Sequence, residues 1–259
     1  MTQLMNVTIE DQIAVIALNQ YKKRNALSTA LITEFIAILD DLQNQKVRVI
    51  IIRQEGKNAV WSAGHDISEL PVANQNPLPY NDPLEKLLRA VRQCSIPIIA
   101  MIHGSVWGGA LDLVINCDMV IADDTAFFAI TPAKLGLPYN ASGIQHFLAR
   151  LPVNIVNELF FTAEPIQAKR AHQFHLVNYV LSEDELEAFT MKMANTISSR
   201  SQQSITAFKK QVNLLISSGA LSPQAYEYIE QIRHDVYCGK DYNEGVNAFL
   251  EKRKPNFSD

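Results

Sequence analysis

The sequence has little cysteine and no uninterrupted hydrophobic run of the length that a membrane helix needs. Its three cysteines, Cys94, Cys117 and Cys238, share no CxxC spacing, which favours reduced structural thiols over a disulfide framework. The most apolar stretch, residues 96–115, is interrupted by proline, glycine, histidine and aspartate, so it predicts a strand, a turn and a buried helix. No secretory signal pattern is visible at residues 1–11, which makes the cytoplasm the expected location.

Charge is also sparse, and its balance does not favour a polyanionic partner. Charged residues make up 19% of the 259-residue chain, hydrophobic residues make up 47%, and the formal net charge is -4. A nucleic acid would have to bind through a local basic patch, so neither a nucleic-acid nor a membrane partner is expected. The length and composition fit one large globular domain, or one domain with an appendage.

Strand-like and helix-like patterns alternate along the first part of the chain. Residues 7–9 and 13–18 are rich in β-branched side chains and predict a hairpin, and Ser28 is a candidate cap for the next helix. Further strands are predicted at residues 47–52, 97–102, 118–122 and 126–130, and helices at residues 84–94 and within 104–116. The proline-rich residues 71–83 predict a long surface loop, and helical periodicity dominates from residue 148. This alternation predicts the α/β class, with a site at the strand-to-helix turns.

The segment GSVWGGALD at residues 104–112 joins an apolar strand to an apolar helix. Its adjacent glycines let a ligand approach the backbone closely, and the free N–H groups at a helix start carry partial positive charge. The segment has neither the GxSxG spacing of a hydrolase nucleophile nor the GKS or GKT ending of a phosphate-binding loop. On its own, the double glycine is explained equally well by close helix packing. Anion binding and packing therefore both stay open for this segment.

Three motifs together resemble the enoyl-CoA hydratase/isomerase (crotonase) superfamily. They are SAGHDI at residues 62–67, GSVWGG at residues 104–109 and NCDMVIA at residues 116–122. The resemblance covers nearly the whole chain, including KRNAL at residues 23–27 and FLEKR at residues 249–253. It implies a spiral of ββα units over residues 1–200. It also implies a C-terminal helical region, residues 201–259, through which subunits assemble as a trimer or a dimer of trimers.

The resemblance further implies a site for an acyl-CoA thioester. The backbone N–H groups of His65 and Gly109 would hold the thioester oxygen as it becomes an enolate, and each such donor is typically worth about 3 to 4 kcal/mol. Substrate and CoA contacts are implied at Arg24, Ala26, Ser62, Gly64, Asp66, Ile67, Trp107, Gly108, Phe249 and Lys252. In the family the last two positions reach the nucleotide from a neighbouring subunit. From the residues alone, a solvated turn explains Arg24 better than a binding role does. An ordinary surface charge explains Lys252 equally well.

The two carboxylates with which family hydratases activate water are incomplete in this chain. The first position holds the shorter Asp112 and the second holds Ala133, so efficient hydration is not expected. His65, Trp107 and LGLPYN at residues 135–140 resemble instead a branch that decarboxylates malonyl-type thioesters. This implies conversion of methylmalonyl-CoA or malonyl-CoA to propionyl-CoA or acetyl-CoA. No metal and no separate cofactor is implied, because CoA is part of the substrate.

Four side chains are candidates for the reaction itself. Tyr139 by its hydroxyl and His65 by its ring are expected to orient the substrate carboxylate, and Thr131 to add a hydrogen bond. Plainer roles are a loop anchor for Tyr139 and a turn cap for His65. Asp112 either has a partner or faces the site, because an unpaired buried carboxylate is costly. Two alternatives remain, an enoyl-CoA isomerase with Asp112 as its proton shuttle and a relative that binds acyl-CoA without catalysis.

Overall fold

The computed structural model describes residues 4–70 and 79–217, seven positions between 223 and 235, and residues 238–255. The strands are β1 (Met5–Glu10), β2 (Ile13–Leu18), β3 (Val49–Gln54), β4 (Val60–Ser62), β5 (Ile98–Ile102), β6 (Ser105–Trp107), β7 (Met119–Asp123), β8 (Phe127–Ala129), β9 (Ile166–Gln167) and β10 (Tyr179–Leu181). The helices with described bounds are α1 (Thr29–Gln43), α2 (Pro83–Gln93), α3 (Gly109–Ile115), α4 (Ala141–Leu148), α5 (Val153–Thr162), α6 (Ala168–Gln173), α7 (Glu183–Ser198), α8 (Gln202–Ser217) and α9 (Lys240–Leu250). Short 3₁₀ turns lie at Tyr21–Lys23, Ile67–Glu69 and Pro132–Leu135.

The strands form two sheets between which the chain passes repeatedly. The larger sheet has the order β1-β2-β3-β5-β7-β10, with β1 antiparallel to β2 and the other neighbours parallel. The smaller sheet has the order β4-β6-β8-β9 and is parallel except for its last pair. Parallel neighbours need a long crossover, and here each crossover from β3 and β5 carries a strand of the smaller sheet and then a helix. This repetition confirms the predicted α/β spiral of ββα units.

The first elements follow the sequence closely. The predicted hairpin is present, with Glu10 paired to Ile13 across its turn. Helix α1 begins directly after Ser28, whose Oγ accepts a hydrogen bond from the Leu31 amide at 3.3 Å. The predicted helix within residues 104–116 is shorter than expected, because β6 occupies its first part. Of the predicted loop at residues 71–83, positions 71–78 lie outside the described residues.

Alternate side chains of the larger sheet face two different apolar layers. Ile50 and Ile52 point into the main core, which includes the side chains of the smaller sheet. Val49 and Ile51 point to the opposite face, which α7 covers. A strand that is buried on both faces is expected to be apolar throughout, as the sequence VIII at residues 49–52 is. The smaller sheet is thereby fixed on one side of the larger sheet, with its strand ends free to form a site.

Helices α7 and α8 lie where helical periodicity predicted helices. Gly245 of α9 lies directly against the backbone of Leu135, so α9 supports the turn Pro132–Leu135 from behind. The assembly role expected for residues 201–259 stays a prediction. In the part of the chain that the structure describes, no helix is both long enough and apolar enough to cross a membrane.

Candidate active site

Two loops bring the amides of His65 and Gly109 side by side. His65 follows β4, Gly109 begins α3 just after β6, and these two strands are parallel neighbours whose ends point the same way. An ideal Cβ atom on Gly109 would lie 3.5 Å from the His65 nitrogen, and one on Gly64 would lie 3.1 Å from the Gly109 nitrogen. Among the described residues, neither amide donates to a protein acceptor. Two adjacent free donors are the arrangement that stabilises the oxygen of an enolate.

The backbone around these amides is fixed by short-range hydrogen bonds and by two glycines. Gly64 has a φ of +85°, and a Cβ atom there would overlap the Trp107 carbonyl. The Gly64 carbonyl accepts from the Leu27 amide at 2.8 Å, which ties this loop to the start of α1. Gly108 has a φ of +51°, and its N–H donates to the Ala129 carbonyl at 2.8 Å. The two donors are therefore held by glycine conformations that other residues rarely adopt.

An open cavity of about 580 Å³, its mouth included, lies in front of the two amides. Most of its wall is apolar and is formed by Ile67, Leu70, Leu84, Leu135, Leu137 and Pro138. The polar side chains that line it are His65, Thr131 and Tyr139. No aspartate or glutamate lines the cavity within the described ranges, although the positions at 71–78 are not included in that statement. The described wall thus offers an oxyanion site and apolar surface, but no carboxylate base.

Tyr139 is buried at the inner wall of the cavity. Its ring packs edge-on against Phe147 and Phe160, with centroid distances of 6.4 and 5.2 Å. Its hydroxyl donates to Asp112 Oδ2 at 2.7 Å. Burial first, and then the charge of Asp112, raise the pKa of the Tyr139 hydroxyl well above its usual value. In the structure the proton of this hydroxyl faces Asp112, and the expected role of Tyr139 in orienting a substrate carboxylate stays a prediction.

Asp112 has partners at both oxygens and does not line the cavity. It is 1% exposed, on the α3 face that meets α4. Besides the Tyr139 hydroxyl at Oδ2, its Oδ1 accepts from His146 Nδ1 at 2.8 Å and from Asn116 Nδ2 at 2.9 Å. His146 Nε2 in turn lies 2.9 Å from a guanidinium nitrogen of Arg92. Of the two options that the sequence left for Asp112, the structure therefore shows the partnered carboxylate.

Neither Arg92 nor His146 could be identified as a site residue from the sequence. They lie on α2 and α4 and are 54 residues apart, so no local spacing relates them. Arg92 fits the polar end of an amphipathic helix, and His146 falls on the buried stripe of another. The one sequence signal for such donors is Asp112 itself, because an aspartate within an apolar run needs partners when it is buried.

His65 and its neighbour Asp66 make local hydrogen bonds beside the cavity. His65 Nδ1 lies 3.1 Å from the Asp66 carbonyl, and because a carbonyl only accepts, Nδ1 carries the proton. Nε2 is therefore the acceptor nitrogen when the ring is neutral. The Asp66 carboxylate accepts from the Ser68 amide at 3.1 Å and caps the turn Ile67–Glu69. Thr131 immediately precedes the turn Pro132–Leu135 at the cavity wall.

Several of the expected CoA contacts cluster around the loop that follows β4. Ser62 is buried, and its hydroxyl donates to the Asn25 carbonyl at 2.6 Å and accepts from the Gly64 amide. The Arg24 carbonyl accepts a hydrogen bond from the Ala63 amide at 2.9 Å. The segment with Arg24 and Ala26 therefore lies beside the segment with Gly64. These bonds shape the loop, and binding of CoA there remains a prediction.

Phe249 and Lys252 are not part of this cavity. Phe249 lies in the last turn of α9 and is 52% exposed, and Lys252 lies in the turn that follows the helix. The structure does not bring them to the cavity of their own chain. Their expected contact with a neighbouring subunit's nucleotide remains a prediction.

A model of the enoyl-CoA hydratase/isomerase family matches residues 8–259. The chain belongs to this family. Methylmalonyl-CoA decarboxylase from Escherichia coli (strain K12) is 42% identical over 255 residues, covering 98% of each chain. The mitochondrial enoyl-CoA hydratase domain-containing protein 3 of Homo sapiens is 34% identical over 258 residues, covering 96% of this chain and 81% of the relative.

Solved structures of this family superpose on the chain along its whole length. A methylmalonyl-CoA decarboxylase in complex with 2-nitronate-propionyl-CoA has a TM-score of 0.97 at 42% identity, covering 99% of this chain and 98% of the other. A second, complexed with 2S-carboxypropyl-CoA, has the same TM-score and identity and covers 100% and 99%. The crotonase fold expected from the sequence is thereby confirmed.

Proposed function

We propose that this chain decarboxylates a malonyl-type acyl-CoA, with methylmalonyl-CoA as the first candidate and malonyl-CoA as the second. The observation that carries the proposal is the pair of free amides at His65 and Gly109, which face a cavity whose described wall lacks a carboxylate. Hydration and isomerisation of an enoyl thioester both need a group that moves protons. Loss of CO2 needs only a place for the electron pair that the breaking bond leaves behind.

The reaction breaks the bond between the α-carbon and the carboxylate carbon. The carboxylate leaves as CO2, and its bonding electron pair passes to the thioester as an enolate whose oxygen accepts from the two amides. Each donor contributes about 3 to 4 kcal/mol to such an intermediate. A proton from water then adds to the α-carbon and gives propionyl-CoA or acetyl-CoA. The protein supplies positioning and hydrogen bonds, and the scheme requires neither a metal nor a cofactor besides the CoA of the substrate.

The cavity wall suits a carboxylate that has to be lost rather than held. Apolar side chains surround the space, and no lysine or arginine lines it in the described ranges. A carboxylate is poorly stabilised there, whereas the delocalised charge of the enolate has its own donors. We place the carboxylate near Tyr139, the His65 ring and Thr131, which are the polar side chains on the wall.

The relatives support the same choice. The chain is 42% identical to methylmalonyl-CoA decarboxylase across 98% of both chains, compared with 34% to the human hydratase-domain protein. By analogy with the family, CoA would lie along Arg24, Ala26, Ser62, Gly64, Asp66 and Ile67 and pass Trp107 and Gly108. Phe249 and Lys252 of a neighbouring subunit would complete the nucleotide site in a trimer or a dimer of trimers.

The test is to incubate the pure protein separately with methylmalonyl-CoA, malonyl-CoA and crotonyl-CoA. Release of CO2 and the absorbance of the conjugated enoyl group are followed together. We expect CO2 from one or both malonyl-type substrates and little change with crotonyl-CoA. Turnover of the enoyl substrate without any CO2 release would eliminate the decarboxylase and favour the isomerase alternative.

A further inference from the structure

A chain of hydrogen bonds leads from the cavity wall to helix α2. The Tyr139 hydroxyl lies 2.7 Å from Asp112 Oδ2, and Asp112 Oδ1 lies 2.8 Å from His146 Nδ1. His146 Nε2 lies 2.9 Å from an Arg92 nitrogen. Asp112 is 1% exposed, and Tyr139 and His146 are each 9% exposed. Such a chain, shielded from water, can fix the direction of every proton within it.

The direction is set from the Arg92 end. A guanidinium only donates, so His146 Nε2 must accept and the ring proton must sit on Nδ1. That proton faces Asp112 Oδ1. Asn116 Nδ2 lies 3.1 Å from Nδ1, but its two protons are directed at the Asp112 carbonyl at 2.7 Å and at Oδ1 at 2.9 Å. Asp112 is then an acceptor at both oxygens, and the Tyr139 hydroxyl must donate to it.

We propose that Arg92, His146 and Asp112 are positioning residues that keep the Tyr139 proton turned away from the cavity, so that Tyr139 presents a lone pair to the substrate. This inference rests on the proposed decarboxylation and specifies the role of Tyr139 in it. A carboxylate cannot donate a hydrogen bond to that lone pair, and the Asp112 charge lies directly behind it. Tyr139 thus disfavours the bound carboxylate, and its loss as CO2 relieves the repulsion.

Asp112→Asn tests the inference because it reverses the direction of the hydrogen bond between residue 112 and the Tyr139 hydroxyl. The asparagine oxygen is expected to face its two donors, His146 and Asn116, which turns Nδ2 toward the Tyr139 oxygen. The hydroxyl then accepts from Nδ2 and points its own proton into the cavity. We expect kcat with methylmalonyl-CoA to fall by about tenfold or more, the scale of one hydrogen bond to a charged group. Binding of a carboxylate should become tighter in the same variant.

Binding is measured with two unreactive ligands, 2-carboxypropyl-CoA and propyl-CoA. Neither has a thioester carbonyl, so neither is decarboxylated, and only the first carries a carboxylate. In Asp112→Asn we expect the Kd of 2-carboxypropyl-CoA to fall several-fold relative to that of propyl-CoA. Asp118→Asn is the matched control, because that carboxylate accepts from the Ile98 amide and from Lys209 outside the cavity. It should leave both kcat and the ratio of the two Kd values unchanged.

A pair of substitutions at His146 tests the far end of the chain. His146→Asn keeps an amide nitrogen as many bonds from Cα as Nδ1 is, and should retain most of the wild-type kcat. His146→Leu removes the donor and should lower kcat. Rescue by asparagine would separate positioning from simple packing. If His146→Leu does not fold, the near-isosteric Asp112→Asn decides the question by itself.

The inference is overturned if Asp112→Asn keeps the wild-type kcat and Kd ratio, or binds 2-carboxypropyl-CoA less tightly relative to propyl-CoA. The second result would mean that Tyr139 donates to the carboxylate in the wild type. Failure of the proposed function looks different, since the wild-type protein would then release no CO2. The two binding ligands would still report which way the hydroxyl points.

Discussion

Gly109→Ala is the most direct perturbation of the proposed oxyanion site. The new methyl group would lie 3.5 Å from the His65 nitrogen, beside both of the amides that we propose as oxyanion donors. Removal of one oxyanion donor typically costs about 3 to 4 kcal/mol, or roughly 10²- to 10³-fold in kcat. Because the methyl group obstructs the approach to both donors, we expect a loss in kcat at the upper end of that range or beyond.

The same substitution should do much less to the fold. The methyl group would come within 2.8 Å of Leu84 Cδ2, the far end of a flexible side chain, and overpacking of this kind costs about 1 to 3 kcal/mol. CO2 release gives kcat and KM, and thermal unfolding gives the change in stability. Gly56→Ala is a control for lost stability without a blocked site, because that exposed glycine has a positive φ of +68°, at which a side chain is strained, and lies away from the cavity. It should lose stability and keep its kcat. Full activity of Gly109→Ala would refute the assignment of its amide.

Three further outcomes are expected. Tyr139→Phe should lower kcat more than it changes KM, while equal kcat/KM for variant and wild type would show that the hydroxyl has no part in turnover. Burial raises the pKa of the Cys117 thiol to about 12 and also raises that of Cys94, so a thiol reagent at neutral pH should label only the exposed Cys238. Rapid labelling of all three in the folded protein, checked by mass spectrometry, would contradict the buried positions. Light scattering should give the mass of a trimer or a hexamer, and a monomer would exclude the expected subunit assembly.

Local signals were sufficient for the parts of the fold that depend on local chemistry. The hairpin, the Ser28 cap and the apolar strand at residues 49–52 are each set by a few neighbouring side chains, and the structure has all three. The short strands of the smaller sheet were harder to find. β6 has only three residues, which is too few for an alternating pattern to stand out from the turn beside it.

The candidate site likewise has one part that could be predicted and one part that could not. The two amides were predicted from the resemblance to the family, because the double glycine at residues 108–109 alone left anion binding and close packing equally open. The structure shows that Gly64 and Gly108 have positive φ and that backbone approaches Gly64 closely. The partners of Asp112 were not predictable, because His146 is 34 residues away on another helix. A side chain whose role is to contact a distant helix produces no periodic pattern in the sequence. It looks there like any other polar residue of an amphipathic helix.

The position of Asp112 also bears on the proposal that this chain does not hydrate enoyl-CoA. A carboxylate that activates water must offer a free oxygen to the cavity, and here both oxygens accept from protein donors while Tyr139 forms the wall. The second family position, Ala133, has no carboxylate and is exposed.

Restoring the second acid alone, by Ala133→Glu, should therefore not produce hydration of crotonyl-CoA, because Asp112 would remain hydrogen-bonded to Tyr139 and His146. Combining Ala133→Glu with Tyr139→Phe removes the hydrogen bond from Tyr139 to Asp112 Oδ2. A gain of hydratase activity only in the double variant would show that the hydrogen bonds of Asp112 are what separates decarboxylation from hydration. Hydration by the single Ala133→Glu variant would show that Asp112 is not needed for it, and that the missing glutamate alone is what separates them.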